Sequence, residues 1–212
     1  MRPFAFLLAL PLVAQAPEPL PLPAPLPSKT TLQEALKARR TERKLGGPAL
    51  ALEEAAALLW AAQGENRPNR RTVPSARARY PLELILVTEG SATLPKGSYR
   101  YLPKTHALAR LSGQGVAELG GKLKGLQAWI AQSPSLVVVA GVPARLGGDA
   151  RHQERYTFWE AGAASQALLL QAAALALGAG TASGLDLEAL KSALPLASGE
   201  EAFVVLALGH AR

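Results

Sequence analysis

The chain has 212 residues, a formal net charge of +7 and no cysteine. That length suits one domain, able to bury about two-thirds of the surface its unfolded form exposes. The lack of cysteine excludes disulfide scaffolds, zinc–thiolate centres, iron–sulfur clusters, thiol nucleophiles and a cysteine-linked lipid anchor, so redox chemistry here requires a bound cofactor.

The N-terminus reads Met1-Arg2-Pro3, then an apolar run over 4–14, then Ala14-Gln15-Ala16. A charged start, short apolar core and A-x-A site predict a secretory signal over 1–16, and hence export to the periplasm or the exterior. The run is well short of the roughly 20 residues that span a bilayer, so no stable membrane span is expected after cleavage. If the segment is not a working signal, the protein is cytoplasmic. Residues 17–28 alternate proline and predict a stiff, extended linker ahead of a domain over 29–212.

Thr31-Leu32-Gln33-Glu34 has the pattern of a capping box and predicts a helix over 32–39, whose basic end suits the negative end of the helix dipole. The cluster Arg39-Arg40-Thr41-Glu42-Arg43 stands where that helix stops. A second helix is predicted over 52–63, with Gly64 as its C-cap, followed by an exposed loop over 66–71. Pro74 to Pro81 then forms a turn leading into a mostly buried strand over 82–87. Residues 98–102 alternate with period two after Pro95-Lys96-Gly97, and the two strands are predicted to pair.

Residues 116–131 read as helical but weakened by Gly120 and Gly121, and 135–140 as a central strand by β-branched content. After an Arg/Gly-rich loop, a long helix over 156–177 is apolar nearly all round. Glu160, Gln166 and Gln171 make it a core helix in place of a membrane span. A short helix over 186–194 and a strand over 202–208 end the chain. With no run of βαβ units, the class is α+β.

The arginines gather in 39–43 and 67–79 with few aromatics interleaved, which argues for a local anion such as phosphate over nucleic acid. His106, His152 and His210 are too dispersed in sequence to suggest a metal site, and His152 alone merits a test. Gly178-Ala179-Gly180 follows a helix and is no dinucleotide fingerprint. Glu160 is a candidate general base, against the commoner reading of a dipole-stabilising or salt-bridged carboxylate. Tyr99 and Tyr101 read as packing residues.

In this order the segments Ala38 to Arg43, Leu58 to Gly64, Pro74 to Pro81, Gly97-Ser98-Tyr99-Arg100-Tyr101, Glu160 to Gln166, Ser183-Gly184-Leu185 and the strand ending in Gly209 resemble the nitroreductase-like flavoprotein family, in particular its SagB-type dehydrogenase branch. The resemblance spans most of residues 30–210. It implies a central mixed or antiparallel sheet flanked by helices, a long buried core helix, and FMN in a groove at a homodimer interface. It implies phosphate contacts from Arg39 and Arg40, a hydrogen bond to the flavin or its ribityl chain from Thr41, and a cation at the pyrimidine edge from Arg43. Pro74, Ser75 and Ala76 would contact the ring, the long helix would supply Gln166, the Gly184 amide would approach the reactive nitrogen, and Arg212 would add a phosphate contact.

The departures are Arg77, where the family has glycine after Pro-Ser-Ala, and Gly162-Ala163 and Gln166-Ala167, where it has Gly-His and Gln-Asn. Arg151-His152 also stands near the place of the Lys-Tyr pair of azoline-oxidising members. The resemblance thus implies a general FMN oxidoreductase, moving hydride from NAD(P)H or another reduced donor to a small-molecule acceptor. The alternative is a cofactor-free envelope protein that keeps the fold.

Overall fold

A computed structural model describes residues 17–25, 27–123, 126–182 and 185–211. The predicted signal segment over 1–16, Gly184 and Arg212 lie outside the described residues.

The first part of the chain gives β1 (Leu20–Pro21), α1 (Leu32–Ala38), β2 (Leu45–Gly46) and α2 (Leu52–Gln63), then a small hairpin of β3 (Glu65–Arg67) and β4 (Arg70–Arg71). Next come β5 (Leu82–Thr88), β6 (Gly97–Leu102) and β7 (Ala107–Ser112), then α3 (Val116–Lys122) and α4 (Ala128–Ala131). The remainder is β8 (Ser135–Gly141), α5 (Ala150–Ala174), β9 (Gly178–Ala182), α6 (Leu187–Ala193) and β10 (Glu201–Ala211).

The main sheet runs β1-β7-β6-β5-β8-β10-β2, with β9 also paired to β10, and every pairing among the described residues is antiparallel. All of β8 is buried, so its apolar run faces protein on both sides. The period-two alternation of a strand divides that content. Leu84, Leu86, Val137, Val139, Leu206 and Leu208 pack with α2 and α5, whereas Ile85, Val87, Leu136, Val138 and Val205 pack with α3, α4 and α6. The result is a helix–sheet–helix sandwich with two apolar layers.

The predicted caps form. Thr31 and Glu34 close a capping box, with the Glu34 carboxylate accepting the Thr31 N–H at 2.7 Å. α1 ends at Ala38, which leaves Arg39 as its C-cap. The glycine-weakened stretch splits into α3 and α4.

α5 departs from its predicted bounds. It starts at Ala150 instead of 156, because the Asp149 side chain caps it by accepting the His152 N–H at 2.8 Å. It ends at Ala174, and Ala176 turns the chain back at φ 57°. Nor is the helix buried all round, for Phe158 and Trp159 are 45% and 70% exposed.

The proline-alternating stretch is extended, as its composition requires, and part of it lies on the sheet. Leu22 is buried and donates its N–H to the His106 carbonyl at 2.9 Å. His106 links the Tyr101 hydroxyl, 2.9 Å from its Nδ1, to the Pro23 carbonyl, 2.9 Å from its Nε2. β1 thereby covers the edge of β7 that would otherwise offer unpaired backbone groups.

Leu206 lies fully buried on β10. Leu206→Ala should cost about 2–5 kcal/mol, read as a lower denaturant midpoint with an unchanged slope.

Candidate functional site

The segment after α1 crosses β9. The Glu42 N–H donates to the Ala179 carbonyl at 2.9 Å. A Cβ on Gly180 would lie 3.1 Å from Thr41 Cγ2 and from the Trp129 ring, and one on Gly178 would lie 2.6 Å from Leu45 Cδ2. The small residues of β9 therefore exist to let Thr41–Leu45 approach. Arg43 stacks its guanidinium 5.8 Å from the Trp129 ring centre. Arg40 is largely exposed, with its Nε 3.6 Å from the Glu42 carboxylate, a geometry that holds it weakly. The Lys44 N–H, bonded to Glu42 at 2.9 Å, holds that carboxyl below its ordinary range.

Arg39, Arg40 and Glu42 line a cavity of about 250 Å³ whose other walls are Leu169 and Ala173 of α5 and the start of β9. A second cavity, of about 450 Å³, is lined by Gly162, Ser165, Gln166 and Leu169 of α5, by Thr181 of β9 and by Phe203 of β10. Leu169 borders both, so the two lie side by side along α5, and together they are called the α5 groove. Positions 162, 166, 169 and 173 recur at helical spacing on one face. A Cβ added at Gly162 would meet nothing within 4 Å, which leaves the groove open there.

Pro74, Ser75 and Ala76 are elsewhere. The Ala76 N–H donates to Glu160 Oε1 at 2.8 Å, which ties the turn to α5. At about 100° per residue, Glu160 and Leu169 point to opposite sides of the helix. Pro74 and Ser75 line a separate opening with Arg67, Arg70, Arg71 and Arg77. Within one chain, then, Arg39 and Arg40 line one of these cavities and Gln166 the other, and the Pro74–Ala76 turn lies apart from both.

The profile of the nitroreductase family matches residues 36–210, nearly the whole of the described domain. The chain belongs to the nitroreductase family. A protein of Methanocaldococcus jannaschii that carries the nitroreductase name is 31% identical over 151 residues, which cover 69% of this chain and 75% of that one. A nitroreductase structure from Ralstonia eutropha JMP134 superimposes with a TM-score of 0.78 at 25% identity, covering 100% of this chain and 98% of the other. An NADH dehydrogenase/NAD(P)H nitroreductase structure from Parabacteroides distasonis ATCC 8503 gives 0.60 at 20% identity over 85% and 86% of the two chains. The fold is accordingly nitroreductase-like, with its sheet antiparallel throughout the described pairings.

Tyr99 and Tyr101 are buried packing residues, with the Tyr99 hydroxyl donating to the Pro95 carbonyl at 2.8 Å. His152 is exposed and rests 4.4 Å from the Tyr156 ring centre. Among the described residues no group of side chains could hold a metal, and no helix is long and apolar enough to cross a membrane.

Glu160 anchors a turn 84 residues away, a role its place in the sequence does not signal. Burial pushes its carboxyl above the ordinary range, against the opposing pull of the Ala76 N–H, Ser75 and Arg71. A raised folded value means that its contribution to stability is complete in acid and is lost as pH rises through that value. Glu160→Gln keeps an acceptor for Ala76 and removes the buried charge. Thermal melts should find the variant gaining on the parent between pH 4 and pH 7, and a gap constant with pH would refute the shift.

Proposed function

We propose that this nitroreductase-family protein is an FMN-dependent oxidoreductase of the SagB-type dehydrogenase branch, working as a homodimer. The carrying observation is the α5 groove, with Arg39 and Arg40 in one cavity and Gln166 in the other. Its donor set fits the cofactor. Two guanidiniums suit a phosphate, and an apolar floor of Leu169, Ala173 and Gly162 suits a flat ring.

When bound, FMN would supply hydride transfer between a reduced donor, NAD(P)H or another, and a small-molecule acceptor. The chain itself binds, orients and sets charge. Arg39 and Arg40 would hold the phosphate, Thr41 would hydrogen-bond the ribityl chain or ring, and Gln166 would contact the ring from α5. Arg43, stacked on Trp129, would hold a cation where negative charge develops on reduction.

A homodimer would account for the separated turn. Pro74, Ser75 and Ala76 can reach a ring in the α5 groove only from a second copy, since Glu160 binds them to the opposite side of the helix. Exposed apolar side chains support such an interface, Leu32 and Leu36 on α1 and Phe158 and Trp159 on α5. The N-terminal signal would place the enzyme outside the cytoplasm.

The test is the visible spectrum of residues 17–212 after incubation with FMN and gel filtration. Retained flavin bands at a dimer's volume, one FMN per chain, are expected, and Arg39→Ala should weaken binding about tenfold to a hundredfold. A colourless protein would overturn the reading in favour of a cofactor-free envelope module.

A further inference from the structure

Beside the Pro74–Tyr80 turn lies an open cleft of about 570 Å³, lined by Arg67, Arg70, Arg71 and Arg77 together with Ser75 and Tyr80. Its lining contains no acidic side chain. Among the described residues, none of these four guanidiniums forms an ion pair. The nearby carboxylates serve other partners. Glu65 accepts the Asn69 N–H at 3.0 Å, Glu160 accepts the Ala76 N–H, and Glu83 pairs with Arg100 and Arg145.

The arginines are gathered against two local costs. In the β3–β4 hairpin Arg67 and Arg70 stand directly opposite each other, an arrangement in which like charges repel. Arg71 is partly buried, its Nη1 donating to Gln63 Oε1 at 2.8 Å and to the Leu82 carbonyl at 3.3 Å, with the guanidinium 4.7 Å from the Tyr80 ring centre. Uncharged oxygens and a ring face orient it, and Glu83 and Glu160 act on it only through space, without a salt bridge.

Arg77 adds a third peculiarity. It sits at φ 53°, followed by Ala78 at φ 54°, and after the right-handed Arg79 (φ −82°) Tyr80 returns to φ 47°, left-handed conformations that L side chains rarely adopt. The turn is held there by its own bonds. Ser75 accepts the Ala78 N–H on its carbonyl at 3.0 Å and the Tyr80 N–H on Oγ at 2.7 Å, while Ala76 accepts the Arg79 N–H at 3.1 Å. Glycine would fit Arg77's conformation without strain, so the arginine there carries a small conformational cost.

We propose that this cleft is an anion-recognition site for a small, phosphate-bearing ligand, with Arg77 as its specificity-determining residue. Four guanidiniums on three short elements can grip several phosphate oxygens at once, and the cleft's size suits a small molecule. The site lies apart from the α5 groove of the same chain. Binding there rests on this cleft alone, whereas the ligand's role as electron donor or acceptor rests on the flavin reading.

The experiment is calorimetric titration of pyrophosphate into the purified protein, with FMN uptake measured on the same samples. Saturable binding that weakens steeply with salt is expected. With the α5 groove first saturated by FMN, Arg77→Gly and Arg70→Gln should each weaken it at least tenfold, while Arg39→Ala leaves it within twofold. Because glycine suits φ 53°, Arg77→Gly should melt no lower than the parent, which separates lost recognition from lost folding.

No saturable heat, an Arg77→Gly affinity within twofold of the parent, or an equal loss in Arg39→Ala would overturn the proposal. Pyrophosphate binding without FMN uptake would sink the flavin reading alone, and FMN uptake without pyrophosphate binding would sink the anion site alone. NADPH then distinguishes the sources of phosphate. Displacement of pyrophosphate assigns the cleft to the donor and its absence to a phosphorylated acceptor, and anion recognition stands with either.

Discussion

The antiparallel pairing of β10 is the constraint on which the rest of the architecture depends. Its eleven residues pair with β8 along most of their length, with β9 on the other side and with β2 near the end. Backbone donors and acceptors in a buried strand must be matched, so this register is not free to slide. It positions β9, and β9 in turn positions the Thr41–Leu45 segment through the Glu42–Ala179 hydrogen bond. The cations of Arg39 and Arg40 thus owe their place to a strand at the far end of the chain.

α5 divides the chemistry that β10 organises. One side is floored by small and apolar residues and forms the groove, while another carries Glu160, whose bond to Ala76 holds the arginine-lined turn. Two anion-friendly regions on opposite sides of one helix can serve one reaction only if chains associate. The helix that buries its flank in the sandwich also exposes Trp159, an arrangement suited to contact with a neighbour.

Much of this was legible in the sequence where the signal is local. The Thr31–Glu34 box declares α1, and the β-branched run of β8 declares a central strand, because caps and periodicity act within a few residues. β9 was not legible. Gly178-Ala179-Gly180 has little strand propensity of its own, and it is a strand because β10 and the Thr41 segment lie on its two sides. The early start of α5 was hidden by its charged first turns and revealed only by the Asp149 cap.

The site divides in the same way. Arg39, Arg40 and Gln166 could be nominated from order and residue type; the arginines line one cavity along α5 and Gln166 its neighbour. The opposite placement of Ser75 and the role of Glu160 depend on a contact across 84 residues, which no local pattern encodes. Arg77 was visible as a departure from the family's glycine, but its left-handed backbone belongs to the turn as a whole.

The strap formed by β1 bears on how the molecule is made. Its anchor, the contact between Pro23 and His106, joins positions 83 residues apart. The β1 segment therefore has nowhere to dock until β6 and β7 have been synthesised and paired. Until then the outer edge of the sheet is bare, and a long-range closure of this kind comes late and at a high entropic cost. The alternating prolines offer protection over that interval. They keep the waiting segment extended and poor in N–H donors, ready for its own edge and ill-suited to pair with another's.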